Sequence, residues 1–287
     1  MSTIAPAPPR EDPFPRSIGS RLAWLALLVY VIYALAQLDI SWERFLIGLD
    51  NAGRFFDRLF PPDFTRAELL WKGLRESLEI AVLSTVLGIA IALPIGLAAA
   101  RNLMPPWISW PARMLIVVSR SFHPVIVAIL FVKAVGFGAV AGILALTVAS
   151  VGFIGKLVTE AIEEISEKQV EAIRATGAPF ASVLAFGVVP QVFSRFIGFA
   201  TYQLDSNLRN STMVGIVGAG GVGGTLFAAF QRFDYDFVCA ILIAIISLIM
   251  VGEILATAVR AIFIGNASLA DLFRRGTLAG VRHADDD

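Results

Sequence analysis

Long apolar runs separated by short polar stretches dominate this chain. A helix crossing the hydrocarbon core needs about 20 apolar residues. Six stretches approach or meet that length: residues 22–38, 78–100, 114–135, 139–157, 183–204 and 237–264. Residues 213–230 are also apolar but are broken up by glycines. Each glycine costs a helix about 1 kcal/mol relative to alanine. That stretch therefore predicts a short or broken helix shielded by protein, not a lipid-facing span. The pattern predicts an all-α integral membrane protein with six transmembrane helices.

The polar stretches divide the rest. Residues 1–20 are rich in proline and read as a disordered tail. The apolar run after Arg21 is too long for a signal peptide, and Ala34 to Gln37 form a poor cleavage site, so it predicts a retained helix. Residues 39–75 are polar and mixed in sign. In their second half Ala67, Leu70, Trp71, Leu74 and Leu78 recur at helical spacing, with Arg66, Glu68, Lys72, Arg75 and Glu76 off that stripe. This predicts an amphipathic helix lying at the interface and turning into the second span, with a plain connecting loop as the alternative. The expected organisation is a tail over 1–20, a first helix with its interfacial segment over 21–75, a core over 76–265 and a tail over 266–287.

Composition narrows the function classes. Hydrophobic residues make up 57% of the 287, and charged residues only 16%, against about 25% in a soluble domain. The mean hydropathy of +0.76 does not suit a surface facing water. Lys and Arg number 23, as do Asp and Glu, so no basic excess is available to hold nucleic acid. One cysteine, Cys239, excludes an intrachain disulfide and a cysteine-rich metal site. With the N-terminus placed in the cytoplasm, the inside segments hold more Lys and Arg than the outside ones, the sense that membrane insertion favours.

Between the fourth and fifth runs lies a charged, helix-prone segment, TEAIEEISEKQVEAIRATGAPFAS. Its glutamates keep it in water. Val170 and Ile173 add an apolar patch, which predicts docking into a groove on a soluble partner. Gly177 stands where a left-handed helix cap is expected, and Pro179 stops continuation. Composition alone also allows a solvated hairpin with no partner. The spacing of Glu171-Ala172, then Gly177, then Val189-Pro190 resembles the coupling-loop signature of ABC importer permeases. Ile173 stands in that signature's third position, where alanine is usual.

Within residues 213–230, Gly218, Gly220 and Gly223 fit G-x-G-x-x-G. A dinucleotide site needs a preceding strand and an acid about 20 residues on, and ILIAIISLI occupies that region, so this motif is a decoy. Gly220 and Gly224 match G-x-x-x-G, which lets backbones approach. Residues 120–226, including GKLVTEAIEEI, VPQVF and NLRNSTMVGIVGAGGVGG, resemble the phosphonate-importing branch of these permeases. Two departures leave the ligand open: His123-Pro124 where that branch has a proline and then an acid, and Glu253 where aspartate is common. An amino acid or betaine is the alternative solute.

The resemblance implies a type I ABC importer permease fold, similar to methionine importers, in the cell inner membrane with both termini cytoplasmic. It implies a homodimer, ABC ATPase subunits, an extracytoplasmic substrate-binding protein and no cofactor. Glu171, Ala172 and Gly177 would couple to the ATPase. Asn207, Arg209, Ser211, Thr212, Gly215, Gly218, Gly220 and Gly221 would form the gate and substrate path. The chain has no G-x-x-x-x-G-K-[ST] loop, so nucleotide hydrolysis falls to a partner. An integral membrane enzyme is the competing class, but two histidines, His123 and His283, and one cysteine leave little to build it from.

Charges within the runs need a reason, since each costs at least about 2.5 kcal/mol in the bilayer core. Arg209, with Asn207, Asn210, Ser211 and Thr212 nearby, suits an oxyanion. The alternative pairs it with Asp205, one turn back. Arg120 is expected to pair or snorkel, Lys133 to snorkel, His123 to be a satisfied buried histidine, and Glu253 to pair with a neighbouring helix.

Overall fold

The computed structural model describes residues 18–37 and 41–264. The expected tails over 1–20 and 266–287, with His283, lie almost wholly outside these. The described residues are helical apart from short turns, with no strand among them. They fall into two compact units that divide after Asp57. The first holds α1, Ile18–Gln37, apolar all round and exposed along nearly its whole length, as a lipid-facing helix must be. It also holds most of α2, Trp42–Leu59, in which Trp42, Phe45, Leu46 and Leu49 share one face. Arg54 and Asp50 pair at 2.7 Å on the other face. The apolar spacing in α2 was not singled out in the sequence.

The second unit is built on α3, Ala67–Ala99, and α6, Ala139–Glu163. The two run side by side in the same direction at a constant offset of 62 residues: Gly142 meets Ile80, Gly88 meets Ser150, Gly96 meets Val158, and the Arg101 amide donates to Glu163. The buried stripe of α3 is mostly small: Gly73, Ser77, Ala81, Ser84, Gly88, Ala92, Gly96 and Ala99. A Cβ on Gly88 would overlap the Ser150 side chain, and one on Gly96 would stand 3.0 Å from Val158 Cγ1. Lipid tails offer helices no hydrophobic drive to associate, so close backbone packing has to hold them. The predicted stripe in the first turns of α3 is corrected here. Leu70 is buried, but Trp71 and Leu78 face outward, and Gly73 and Ser77 make the contact instead. The segment is the start of the span itself.

The third apolar run is two helices, α4, Pro106–Ser121, and α5, Pro124–Val135, meeting at 91°. Hence, among the described residues, five helices are each long and apolar enough to cross a membrane, or six if the bent pair counts as one span. Pro124 drives the break, because the residue before a proline is pushed out of the helical region. Phe122 and His123 are both extended, and His123 Nδ1 accepts the Val125 amide at 3.3 Å as an N-cap. His123 is thus an exposed capping residue, not a buried one.

After α6 come α7, Glu167–Ala175, a single turn α8, Phe180–Ser182, a π turn over Val183–Val188, and α9, Val189–Ile216. Pro190 explains the π turn: it has no N–H to donate, and the Val189 amide reaches back five residues to Leu184 O. The helix runs unbroken to Ile216, twelve residues past the end of the predicted span at Leu204. It packs back along α3 and α6 through a buried polar cluster. Asn207 donates to Thr85 and Ser150, each at 2.9 Å, and Gln203 donates to Ser150 at 2.8 Å and to Asn207 at 3.0 Å. Helices α10, Val222–Gln231, and α11, Tyr235–Ile264, complete the unit. Arg66 clasps the start of α11 to the start of α3: it pairs with Asp234 at 2.9 Å and lies 4.1 Å over the Phe237 ring. Hydrogen bonds from Thr65 hold the nearby Asp63 carboxyl below the ordinary carboxylate range.

Two glycine substitutions separate packing from helix propensity. Gly88→Val should cost about 1–3 kcal/mol or more through overpacking, whereas nothing lies within 4 Å of a Cβ on Gly198. Gly88→Val is therefore expected to lower the thermal midpoint in detergent clearly more than Gly198→Val. Equal shifts would show that propensity, not the α3–α6 contact, sets the stability.

Candidate functional site

Two features predicted to act together lie at opposite ends of the α3–α6 pair. At one end, α3 and α6 finish beside α7. Glu163 at the end of α6 accepts the Arg101 amide at 2.8 Å and pairs with Arg113 of α4 at 2.5 Å. Helix α7 sits on this platform. Val170 is buried, and Val170 and Ile173 pack into the cluster formed by Ala92, Ala100, Ile154, Ile162, Val183 and Val188. Their predicted role is therefore corrected: Val170 fastens α7 to its own chain, and Ile173 is half-buried against the same core instead of being presented whole to a partner. Gly187 of the π turn makes room, since a Cβ there would stand 3.2 Å from Ile173 Cδ1.

Gln191 ties this end together and was not picked out in the sequence. It donates to Gly187 O at 2.6 Å and accepts the Ser166 amide, at the N-cap of α7, at 2.9 Å. Arg195 pairs with Glu164 at 2.6 Å. All of α7 except Val170 and Ile173 is exposed, including Lys168, Glu171, Ala172 and Ala175. Gly177 has φ +76°, the left-handed conformation expected of it, with its amide bonded to Arg174 O at 3.0 Å. The three predicted coupling residues, Glu171, Ala172 and Gly177, lie together on this outer surface.

At the other end is the glycine-rich bend between α9 and α10. Gly218, Gly220 and Gly221 all have φ between +80° and +89°. The bend is packed hard against protein. The Gly138 amide donates to Gly218 O at 3.0 Å, and the Val222 amide donates to Ser77 Oγ at 2.9 Å. A side chain on Gly220 would strike the Ala139 backbone, and one on Gly221 would strike Ser77 Oγ. The close backbone approach is made by Gly215 with Gly223, across the bend. Gly224, assigned to the G-x-x-x-G pair, has only Gly215 O within 4 Å of a Cβ.

The predicted path residues divide by exposure. Asn207 is fully buried in the cluster with Gln203, Thr85 and Ser150, and Ser211 is buried and donates to Leu208 O at 2.8 Å. Thr212 is half-buried, and its carbonyl backs onto Gly223. Arg209 is turned outward, with Nη2 2.5 Å from Asp205 Oδ2. The Asp205 side chain is only 8% exposed and that of Arg209 is 47% exposed. The second carboxylate oxygen of Asp205 is buried with no hydrogen bond. Arg209, Ser206, Tyr202 and Met213 share one face of α9 at helical spacing.

The other intramembrane charges have local accounts. Glu253 pairs with Arg260 at 3.3 Å on its own helix, not with a neighbouring one. Lys133 is exposed in the last turn of α5. Arg120 ends α4, with its stem beside Gly152 of α6.

Known proteins share this architecture. The chain is 39% identical over 246 residues to the phosphate-import permease protein PhnE of Mycolicibacterium smegmatis, a match covering 85% of this chain and 44% of that one. It therefore spans less than half of that relative. It is 34% identical over 249 residues to the phosphite transport system permease protein PtxC of Stutzerimonas stutzeri, covering 86% of this chain and 90% of that one. Among solved structures, an inward-facing MetNI methionine ABC transporter superposes with a TM-score of 0.56 at 25% identity, over 69% of this chain and 99% of its counterpart. Residues 92–264 match the family described as the binding-protein-dependent transport system inner membrane component. The match spans α7, α9 and the glycine-rich bend and takes in more than half of the chain, which belongs to that family.

Proposed function

We propose that this chain is one of two identical permease subunits of an ATP-driven importer of phosphonates or related phosphorus oxyanions. The observation that carries the coupling role is the way α7 is held. Its apolar side is buried in the chain's own core, and its charged outer side is free. A partner pushing on Glu171 and Ala172 would move α7 together with the ends of α3, α6 and α9. Separate ABC ATPase subunits supply that push, and an extracytoplasmic binding protein delivers the solute to the opposite end. The α7 end faces the cytoplasm, as do both termini. Domain limits near residues 76 and 265 remain part of this reading.

The choice of cargo rests on the relatives named for phosphate and phosphite and on Arg209. A half-exposed guanidinium beside Ser206, Asn210 and Thr212 can donate a two-pronged hydrogen bond to an oxyanion. Asp205 holds it in place and competes for it. A transport site has to release its cargo, and such competition keeps binding weak. Because Asn207 and Ser211 are buried, their part is to set the position of α9, and the side chains that meet solute are on the face of Arg209.

Three outcomes test this reading. Glu171→Arg combined with Gly177→Leu should leave the chain in the membrane but abolish ATPase co-purification and uptake; normal values for both would remove the docking role. For orientation, single cysteines at Ser2, Ser166 and Ala284 in a Cys239→Ala background should resist an impermeant reagent applied to intact cells. Phe137→Cys, at a position 86% exposed at the other end, should react. The reverse pattern would invert the topology. For cargo, Arg209→Ala should lose nearly all phosphonate uptake at equal membrane abundance, and Arg209→Lys should keep part of it. If the pair with Asp205 matters only for structure, Asp205→Asn will be equally damaging and both variants will assemble poorly.

A further inference from the structure

A cavity of about 580 Å³ in the second unit opens between α4 and α6 at the α7 end and away from the glycine-rich bend. Four cations line it: Arg101, Arg113, Arg120 and Lys156. Glu160 is the one carboxylate in the lining, and it is already paired with Lys156 at 3.3 Å. Arg113 is held by Glu163 and by Ala99 O. The guanidiniums of Arg101 and Arg120 make no hydrogen bond or ion pair among the described residues. Apart from Ser121 and Thr159, the rest of the wall is apolar and includes Trp110, Met114 and Val117, all exposed on α4.

Arg101, in the turn after α3 and within electrostatic reach of Glu163, and Arg120, in the last turn of α4, are both exposed and present guanidinium donors beside an apolar wall. A small oxyanion would match the cations but would leave the apolar wall without a partner. An acyl chain alone would do the opposite. A molecule with an anionic phosphate head and hydrocarbon tails matches both, and basic pockets between helices at the cytoplasmic side are suited to such heads. Trp110 supplies an amphipathic ring of the kind favoured at headgroup level.

We propose that this cavity is a binding site for an anionic phospholipid, with its phosphate between Arg101 and Arg120 and its chains along α4. Bound there, the lipid would bridge α4 to the Lys156 turn of α6, next to the platform that carries α7. The site needs only the membrane setting of the family. Its placement in the cytoplasmic leaflet rests on the orientation proposed above. The two can fail separately, because cysteine labelling reports orientation whereas a nanodisc has no sides.

The test uses the full-length chain with Trp110 as its only tryptophan (Trp24, Trp42, Trp71 and Trp107 replaced by Phe) in nanodiscs. Brominated phosphatidylglycerol is titrated against brominated phosphatidylcholine, and quenching of Trp110 is read. Half-maximal quenching is expected at an about tenfold lower mole fraction of the anionic lipid. Arg101→Gln with Arg120→Gln should bring the two lipids to near parity, and the corresponding Lys variants should keep most of the preference. Equal quenching by the two lipids in the parent protein would overturn the proposal whether or not the variants fold. So would a preference unchanged by the double Gln variant. Loss of the preference on adding free methylphosphonate would assign the cavity to the transported oxyanion instead, and so reject the lipid.

Discussion

The α3–α6 contact is the constraint on which the rest of the second unit depends. Two long helices running in parallel at a fixed offset leave no room for side chains at Gly88 and Gly96. A pair packed backbone to backbone has few ways to slide, because sliding brings large residues where small ones now fit. The pair therefore acts as one element with two ends. Gly73 and Ser77 receive α10 at one end, and Glu163 receives Arg101 and Arg113 at the other. The glycine-rich bend and α7 are thus joined through a stiff pair and not through a chain of loops. Such mechanical continuity is what permits a displacement at one end to reach the other.

The attachment of α7 shows how local chemistry serves that geometry. An α-helix of nine residues is marginal in water by itself. Here Val170 and Ile173 anchor it, Gln191 satisfies the amide at its start, and Gly177 ends it. Val189-Pro190 contributes from a distance. The proline forces the π turn, and the π turn presents Gly187, whose lack of a side chain leaves room for Ile173. The dipeptide in the coupling signature so has a structural role in seating the helix that precedes it.

Much of this was legible in the sequence, for identifiable reasons. Five of the apolar runs are spans because length and hydropathy alone decide them, and Gly177 was readable because a left-handed cap favours glycine. The bend between α9 and α10 was legible from its glycines. The errors have separate causes, the first being that counting apolar residues ignores how small ones pack. Gly73 and Ser77, not Trp71 and Leu78, are the buried side of early α3. The third run reads as one span because its hydropathy carries across Phe122 and His123, while Pro124 turns the backbone by 91°. Val170 and Ile173 were recognised as an apolar patch, but a patch does not say whether it meets its own chain or another. Gln191 and the partner of Glu253 depend on contacts three-dimensional in origin, and no local pattern reveals them.

The two faces of α9 suggest how one helix can both hold the fold and meet a solute. Its inner face buries Gln203, Asn207 and Ser211, and the hydrogen bonds of Gln203 and Asn207 lock the helix to Thr85 of α3 and Ser150 of α6. Its outer face carries Tyr202, Ser206, Arg209 and Met213. An arginine half-exposed at this depth is poorly tolerated against lipid, so that face calls for protein or water beside it. Asp205 bridges the two faces. It is buried, it pairs with Arg209, and one of its oxygens has no hydrogen bond. A fully satisfied carboxylate would hold Arg209 in one state. Here one oxygen is left over at the buried end of the pair, a costly arrangement that a donor from outside the chain would relieve. The buried carboxylate thus joins the locked inner face of α9 to the half-exposed guanidinium on its outer face, so a change at either is felt by the other.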